Sequence, residues 1–288
     1  MAGLSLKTCS RLFLSCLPYL YAGNTPIIKK HMEYALITGA SKGIGKAIAT
    51  ELATRGFNVL LVARSEELLQ QVAGEINSRY KVKADWLALD LAHPDAPQNV
   101  YDWCRAKGYT VQALINNAGY GLSGPFEKYS LDQHWNMMQL NMQTLVGLVR
   151  LFLPDLRQLP RTYVLNIASS AAYQAVPKLS LYAATKSFVL AFSRGLHQEL
   201  KGTSVSVTCV SPGATDTDFP NRAQLGEKGL KAAEKFNMSP ETVASIAVKG
   251  MLAGKTEVIT GFINKLGAAM AWLLPKSMVE KTAMKIYE

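Results

Sequence analysis

A chain of 288 residues with 49% hydrophobic and 18% charged side chains has the composition of a folded globular protein large enough to bury a full core, which excludes general disorder. Its formal charge of +10 includes Lys7, Arg11, Lys29 and Lys30, all ahead of the first acid, Glu33. The other positive charges form no dense basic stripe with interleaved aromatics, which argues against nucleic acid and favours small anions or a membrane surface as partners.

Residues 1–31 carry basic side chains, an apolar run over Leu12–Ala22 and then a polar stretch containing Pro26. The run is too short to span a bilayer as a helix. The segment is expected to lie outside the fold, as a targeting segment or as the product of an upstream start, since Met32 opens a second plausible start directly at a strand. From Tyr34 onward, short aliphatic runs alternate with longer amphipathic ones. The runs YALIT (34–38), NVLLVA (58–63), ADWLALD (84–90), ALINNA (113–118), TYVLNIAS (162–169), VSVTCVSP (205–212) and EVIT (257–260) predict strands. Helices are predicted near 44–55, 65–80, 95–107, 131–158, 181–201 and 240–253. Strands that are apolar on both faces and alternate with helices predict an α/β fold, a doubly wound parallel sheet of about seven strands with helices on both faces, in one domain over 32–288. The cysteines at 9, 16, 104 and 209 lack CxxC spacing, and the histidines stand far apart at 31, 93, 134 and 197. That pattern predicts no metal site and no disulfide framework, and a reducing, cytoplasmic setting.

The first strand runs into TGASKGIG (38–45), where a helix begins. Gly39, Gly43 and Gly45 permit the tight turn and close approach of backbone to a pyrophosphate, while N–H groups around Ser41, Lys42 and Ile44 are free to meet phosphate oxygens. The second strand ends Ala63-Arg64-Ser65 with no acid to accept from a 2′-hydroxyl. Arg64, with Lys42, suits the 2′-phosphate of NADP(H) better than NAD(H). Asp90 is placed either to receive an adenine amino group or to cap the next helix. NNAG (116–119) ends the fourth strand, where Asn117, Ala118 and Gly119 fit either a turn or the edge of a nicotinamide ribose. Ser169 ends the fifth strand. Thirteen residues later comes Tyr182, and Lys186 follows one helical turn beyond it, so phenol and ammonium share a helix face.

With SPG at 211–213, this ordered set resembles the short-chain dehydrogenase/reductase family, in the branch with TGxxxGxG, over about residues 33–262. The resemblance implies a single-domain Rossmann fold, NADP(H) and no metal, and an oxidoreductase that moves a hydride between nicotinamide and a carbonyl or secondary alcohol. It further implies a tetrad of Asn141, Ser169, Tyr182 and Lys186. A free tyrosine, with a pKa of about 10, is a poor acid at neutral pH, and a nearby ammonium favours its phenolate. By the same resemblance Lys186 also holds the nicotinamide ribose, Ser169 orients the substrate oxygen and Asn141 holds a water.

Pro212, Gly213, Thr215 and Thr217 are expected at the cofactor, the threonines toward its carboxamide or phosphates or as caps of a lid over about 214–240. Tyr120, Phe126, Tyr173, Val176 and Phe219 predict an apolar pocket for a ketone with an aliphatic or ring body rather than a sugar, and the resemblance implies a 3-ketoacyl or steroid-like one. In the apolar C-terminal segment, about 258–288, Phe262, Leu266, Met270 and Leu273 stand at helical spacing. They can pack on the core, close the pocket, meet a second subunit or touch a membrane. The family resemblance also implies a homodimer or homotetramer, with Trp135, Phe188 and Phe192 as contacts. The subgroup it resembles includes bacterial reductases of unassigned substrate and relatives of 3-ketoacyl and hydroxysteroid reductases. The competing classes are a regulator that binds NADP without catalysis and a membrane-associated scaffold.

Overall fold

A computed structural model describes residues 33–215, 223 and 237–287. The segment 1–31 and most of the expected lid, with Thr217 and Phe219, lie outside the described residues. Seven strands, β1 (Glu33–Thr38), β2 (Asn58–Ala63), β3 (Ala84–Ala88), β4 (Thr110–Asn116), β5 (Thr162–Ile167), β6 (Val205–Ser211) and β7 (Glu257–Ile259), form one parallel sheet in the order β3-β2-β1-β4-β5-β6-β7. The connecting helices are α1 (Gly43–Thr54), α2 (Glu66–Arg79), α3 (Ala96–Ala106), α4 (Leu131–Met138), α5 (Thr144–Arg157), α6 (Ser180–Glu199) and α7 (Pro240–Leu252). Two more, α8 (Phe262–Leu273) and α9 (Lys276–Tyr287), follow β7.

The alternation of strand side chains divides the core into two layers. Ala35, Ile37, Val59 and Leu61 face α1, α2 and α7 through Ile48, Leu69 and Val248. Their neighbours Leu36, Leu60 and Val62 face α3, α5 and α6 through Val100, Phe152 and Val189. A strand covered on both sides has no solvent-facing alternate position, which is why these runs are apolar throughout. β3 sits at the sheet edge and is half-buried along its length.

Three elements depart from the sequence expectation. β4 starts at Thr110, three residues early, because Thr110 and Val111 pair with Glu33 and Tyr34 before a register shift at Tyr34/Ala35. The polar Thr110 and Gln112 hide that extension in the sequence. The third strand stops at Ala88, leaving Asp90 in the loop beyond. The single helix expected over 131–158 is two helices joined by a π-turn at Gln139–Gln143. Thr144 helps hold the turn, its hydroxyl lying 2.6 Å from the Leu91 carbonyl and 3.1 Å from that of Gln139. Trp135 and Phe188 are exposed, and Phe192 stacks on Phe188 with centroids 5.9 Å apart.

Connections leave β1 and β4 toward opposite faces, which opens a crevice at their carboxyl ends. Thr38, at the end of β1, is 2% exposed. Its hydroxyl donates to the Ile115 carbonyl at 3.2 Å and accepts from the N–H groups of Asn117 at 3.0 Å and Ala118 at 3.1 Å. The Asn117 amide returns the bond, donating to the carbonyls of Thr38 at 2.9 Å and Gly39 at 3.2 Å. Thr38→Val keeps the shape and removes the acceptor. Its expected cost is about 1–3 kcal/mol in urea unfolding, with Thr38→Ser recovering most of it, and equal stability of all three chains would refute the clasp.

Candidate active site

A cleft of about 790 Å³ lies over the carboxyl ends of the strands. At one end is the glycine-rich turn. Gly39 and Gly43 have φ of +66° and +57°, conformations that disfavour a side chain. A Cβ at Gly45 would stand 2.2 Å from the Gly39 carbonyl oxygen, so this glycine is what lets helix and turn close together. Gly45 itself lies behind the lining, whereas Gly39, Ser41, Lys42, Gly43 and Ile44 face the cleft. α1 begins with no side-chain cap and no acid in its first turn, so its first N–H groups and its positive dipole end are offered to the cleft.

Arg64, Ser65 and Asp90 line the same end. Asp90 also accepts from the Ala92 N–H at 3.1 Å within the loop, but it does not cap the next helix, which begins at Ala96 with Asp95 at its N-cap. Asn117, Ala118 and Gly119 line the middle, but the Asn117 amide hydrogen-bonds the β1 turn and acts as scaffold. Pro212, Gly213 and Thr215 line the far side, with the Thr215 hydroxyl donating to the Gly213 carbonyl at 3.1 Å. Asn264 of α8 also reaches the cleft, its amide so close to Gly213 that a Cβ there would stand 2.1 Å from Nδ2. Asn264 is not among the residues that the sequence marks for the site.

Ser169, Tyr182 and Lys186 come together on this wall. Ser169 caps the short 3-10 turn Ser170–Tyr173, accepting from the Ala171 N–H at 3.1 Å, which leaves its own proton to donate. Tyr182 and Lys186 are 7% and 5% exposed, with the ammonium 5.8 Å from the Tyr182 ring centroid. Lys186 Nζ donates to the Ile167 carbonyl at 2.8 Å, and burial pushes its pKa down to about 8. Cys209 is the other charge-bearing group that acts on it, and burial pushes that thiol up to about 12, so it stays neutral. Asn141 sits inside the π-turn rather than on the cleft wall. Both its amide hydrogens are committed, to the Tyr120 carbonyl at 2.9 Å and the Thr185 hydroxyl at 3.0 Å, and its oxygen accepts from the Tyr120 N–H. Gly119 permits this packing, since a Cβ there would lie 2.9 Å from Asn141 Oδ1 and 3.4 Å from Lys186 Nζ.

Of the expected pocket residues, Tyr120, Tyr173 and Val176 line the cleft. Tyr173 presents its ring only, because its hydroxyl donates to Glu257 at 2.6 Å and lies 3.0 Å from Ser211 Oγ. Phe126 stands apart from the lining, 64% exposed and stacked on His134 with centroids 4.6 Å apart. α8 supplies a further wall through Ile263, Gly267, Ala268 and Ala271, whereas Phe262, Leu266, Met270 and Leu273, the residues expected to be able to close the pocket, stand outside the lining and are exposed.

A family model described as short chain dehydrogenase matches residues 33–228. The chain is 40% identical over 185 residues to a very-long-chain 3-oxoacyl-CoA reductase of Anas platyrhynchos, a match covering 62% of this chain and 58% of that protein's length. A protein of the same name from Bos taurus is 33% identical over 261 residues, 88% of this chain and 78% of that one. Among solved structures, a short-chain dehydrogenase from Sphingobium yanoikuyae in complex with NADPH superposes with a TM-score of 0.73 at 29% identity, covering 84% of this chain and 94% of that one.

The buried ammonium has a consequence for stability. Its folded pKa of about 8 lies below the ordinary 10.5, so the unfolded chain binds more protons between those values. Keeping Lys186 charged therefore costs stability below about pH 8, and the cost is relieved as pH rises toward 10.5. Lys186→Met is expected to unfold at higher urea than the parent chain at pH 7, by about 2–3 kcal/mol, with the difference shrinking above pH 8. A difference that stays constant with pH would refute the assignment.

Proposed function

This chain belongs to the short chain dehydrogenase family, and from that premise we propose that it is an NADP(H)-dependent oxidoreductase interconverting a carbonyl and a secondary alcohol on an apolar substrate. The observation that carries the reading is the convergence of Ser169, Tyr182 and a buried Lys186 on one wall of the cleft whose other end is the glycine-rich turn.

The residues present fit a dinucleotide. Gly39 and Gly43 line the cleft at positive φ, Gly45 lets α1 close beneath the turn, and the uncapped start of α1 faces the cleft. Arg64 and Lys42 supply positive charge where the 2′-phosphate of NADP belongs, and β2 ends without an acid. When bound, the nicotinamide supplies or accepts the hydride.

The chain's own groups handle the oxygen. Ser169 donates a hydrogen bond to the carbonyl oxygen and fixes it. Tyr182 gives that oxygen its proton in reduction and takes it back in oxidation. Lys186, protonated below about pH 8, favours the phenolate left behind. A water relay at Asn141 would use its main-chain carbonyl, since its amide hydrogens are spent on Tyr120 and Thr185. π-turns recur at functional sites for this kind of re-aimed backbone.

Tyr120, the ring of Tyr173, Val176 and the α8 wall suit an aliphatic or ring body. With two relatives named 3-oxoacyl-CoA reductases, a 3-oxoacyl thioester heads the candidates, ahead of steroid-like and simple ketones. A reducing, cytosol-facing setting belongs to the same proposal, since Cys104 and Cys209 are buried free thiols.

NADPH oxidation screened over 3-oxoacyl thioesters, steroid ketones, quinones and small ketones tests the activity. Tyr182→Phe is expected to lower kcat by about 100- to 10,000-fold while NADPH binding by calorimetry persists, and unchanged turnover would end the proposal. Arg64→Glu should raise KM for NADPH by about tenfold or more and leave that for NADH within a few-fold, whereas equal effects on both cofactors would remove Arg64 from the 2′-phosphate.

A further inference from the structure

α8 presents two opposite faces, of which the outer is an exposed apolar stripe. One face, with Gly267, Ala268 and Ala271, lines the cleft. The other carries Phe262, Leu266, Met270 and Leu273, exposed by 79%, 52%, 41% and 66%, with Trp272 beside them at 80%. At 100° per residue these four fall within one narrow stripe, turned away from the cleft-lining residues. Met278 and Met284 of α9 are exposed as well, at 54% and 37%.

Charge says what covers this face. Between Phe262 and Tyr287 the basic residues are Lys265, Lys276, Lys281 and Lys285, against one acid, Glu280. An isologous contact with a second copy would bring two identical lysine-rich patches together, and their like net charge opposes it. An anionic surface attracts the same patch, through Lys265, Lys281 and Lys285 in particular, since Lys276 Nζ already donates to the Ala271 carbonyl at 2.8 Å. Among the described residues no helix is long and apolar enough to cross a membrane. At about 1.5 Å per residue the twelve residues of α8 reach only about 18 Å, well short of a hydrocarbon core of about 30 Å. Such a helix lies in the plane of the interface, aromatic and aliphatic side chains down and lysines at the headgroups.

We propose that α8 and α9 dock the protein on the surface of an anionic lipid bilayer, with the membrane-facing helix also forming one wall of the cleft. The docking stands on surface composition alone and is independent of the reading of the catalytic groups. Its consequence for that reading is that an apolar substrate dissolved in lipid has a short path to the site.

Full-length protein mixed with phosphatidylcholine–phosphatidylserine vesicles and with phosphatidylcholine vesicles tests it, using co-sedimentation and tryptophan emission. Binding should favour the anionic vesicles and blue-shift the emission, and Trp272→Phe should remove most of that shift. The double variant Leu266→Asp/Met270→Asp, altered only at exposed positions, should bind at least about tenfold more weakly, because each aspartate is costly in an interfacial apolar face. Each of Lys281→Glu and Lys285→Glu should weaken binding by about fivefold or more. An emission shift that survives Trp272→Phe undiminished, or vesicle binding equal in the double variant, would place membrane contact elsewhere on the chain and overturn the proposal. A dimer in light scattering that the double variant splits would overturn it in favour of a second copy.

Discussion

The site depends on how the carboxyl ends of β1 and β4 are held. Neighbouring parallel strands whose connections depart to opposite faces leave a gap that nothing in the sheet closes. Thr38 and Asn117 bridge that gap with reciprocal side-chain to backbone bonds. The bridge brings the glycine-rich turn and the NNAG loop to a common edge, so two segments about eighty residues apart act as one rim. Because Gly45 adds no side chain, α1 can start directly beneath the turn, and its uncapped N–H groups face the cleft.

Within that rim the chain keeps an ammonium in a place that burial disfavours. Lys186 has a backbone carbonyl as its hydrogen-bond partner and no salt bridge among the described residues. Folding therefore bears a desolvation cost that a neutral side chain would avoid. Strain of this kind tends to gather where it serves a reaction. Here it sets a cation beside a phenol in a half-dry cleft, where the electrostatic influence of one on the other exceeds its value in water. The π-turn contributes in the same region, turning Asn141 inward to grip Tyr120 and, through Thr185, the helix that carries Tyr182.

The cleft changes character along its length. One end is glycine, amide and cation; the other is ring and aliphatic surface, with the polar atom of Tyr173 turned away to Glu257 and Ser211. α8 joins that apolar end to the outside of the molecule. It is a pocket wall on one side and an exposed apolar surface on the other, and the glycine and alanines on its inner face let it lie close to the opening.

Much of this was written in the sequence because it depends on local rules. Strands buried on both faces must be apolar throughout, a phosphate turn must have glycines, and a helix must stack Tyr182 above Lys186; each can be read from neighbours a few residues apart. What remained hidden depends on partners distant in the chain. The early start of β4 requires Glu33 and Tyr34 as pairing partners, and the break in the long helix requires Leu91 and Tyr120. The sequence named Phe126 as a pocket residue on composition, and its packing on His134 puts it outside the lining. For Tyr173 the sequence could supply the ring, while the direction of its hydroxyl was decided by Glu257, eighty-four positions away. Asn264 and the inner face of α8 reached the cleft only through tertiary packing, because an apolar helix carries no mark of which side will be covered. The order of motifs thus determined the kind of chemistry, and the packing of remote segments decided the shape of the space in which it takes place.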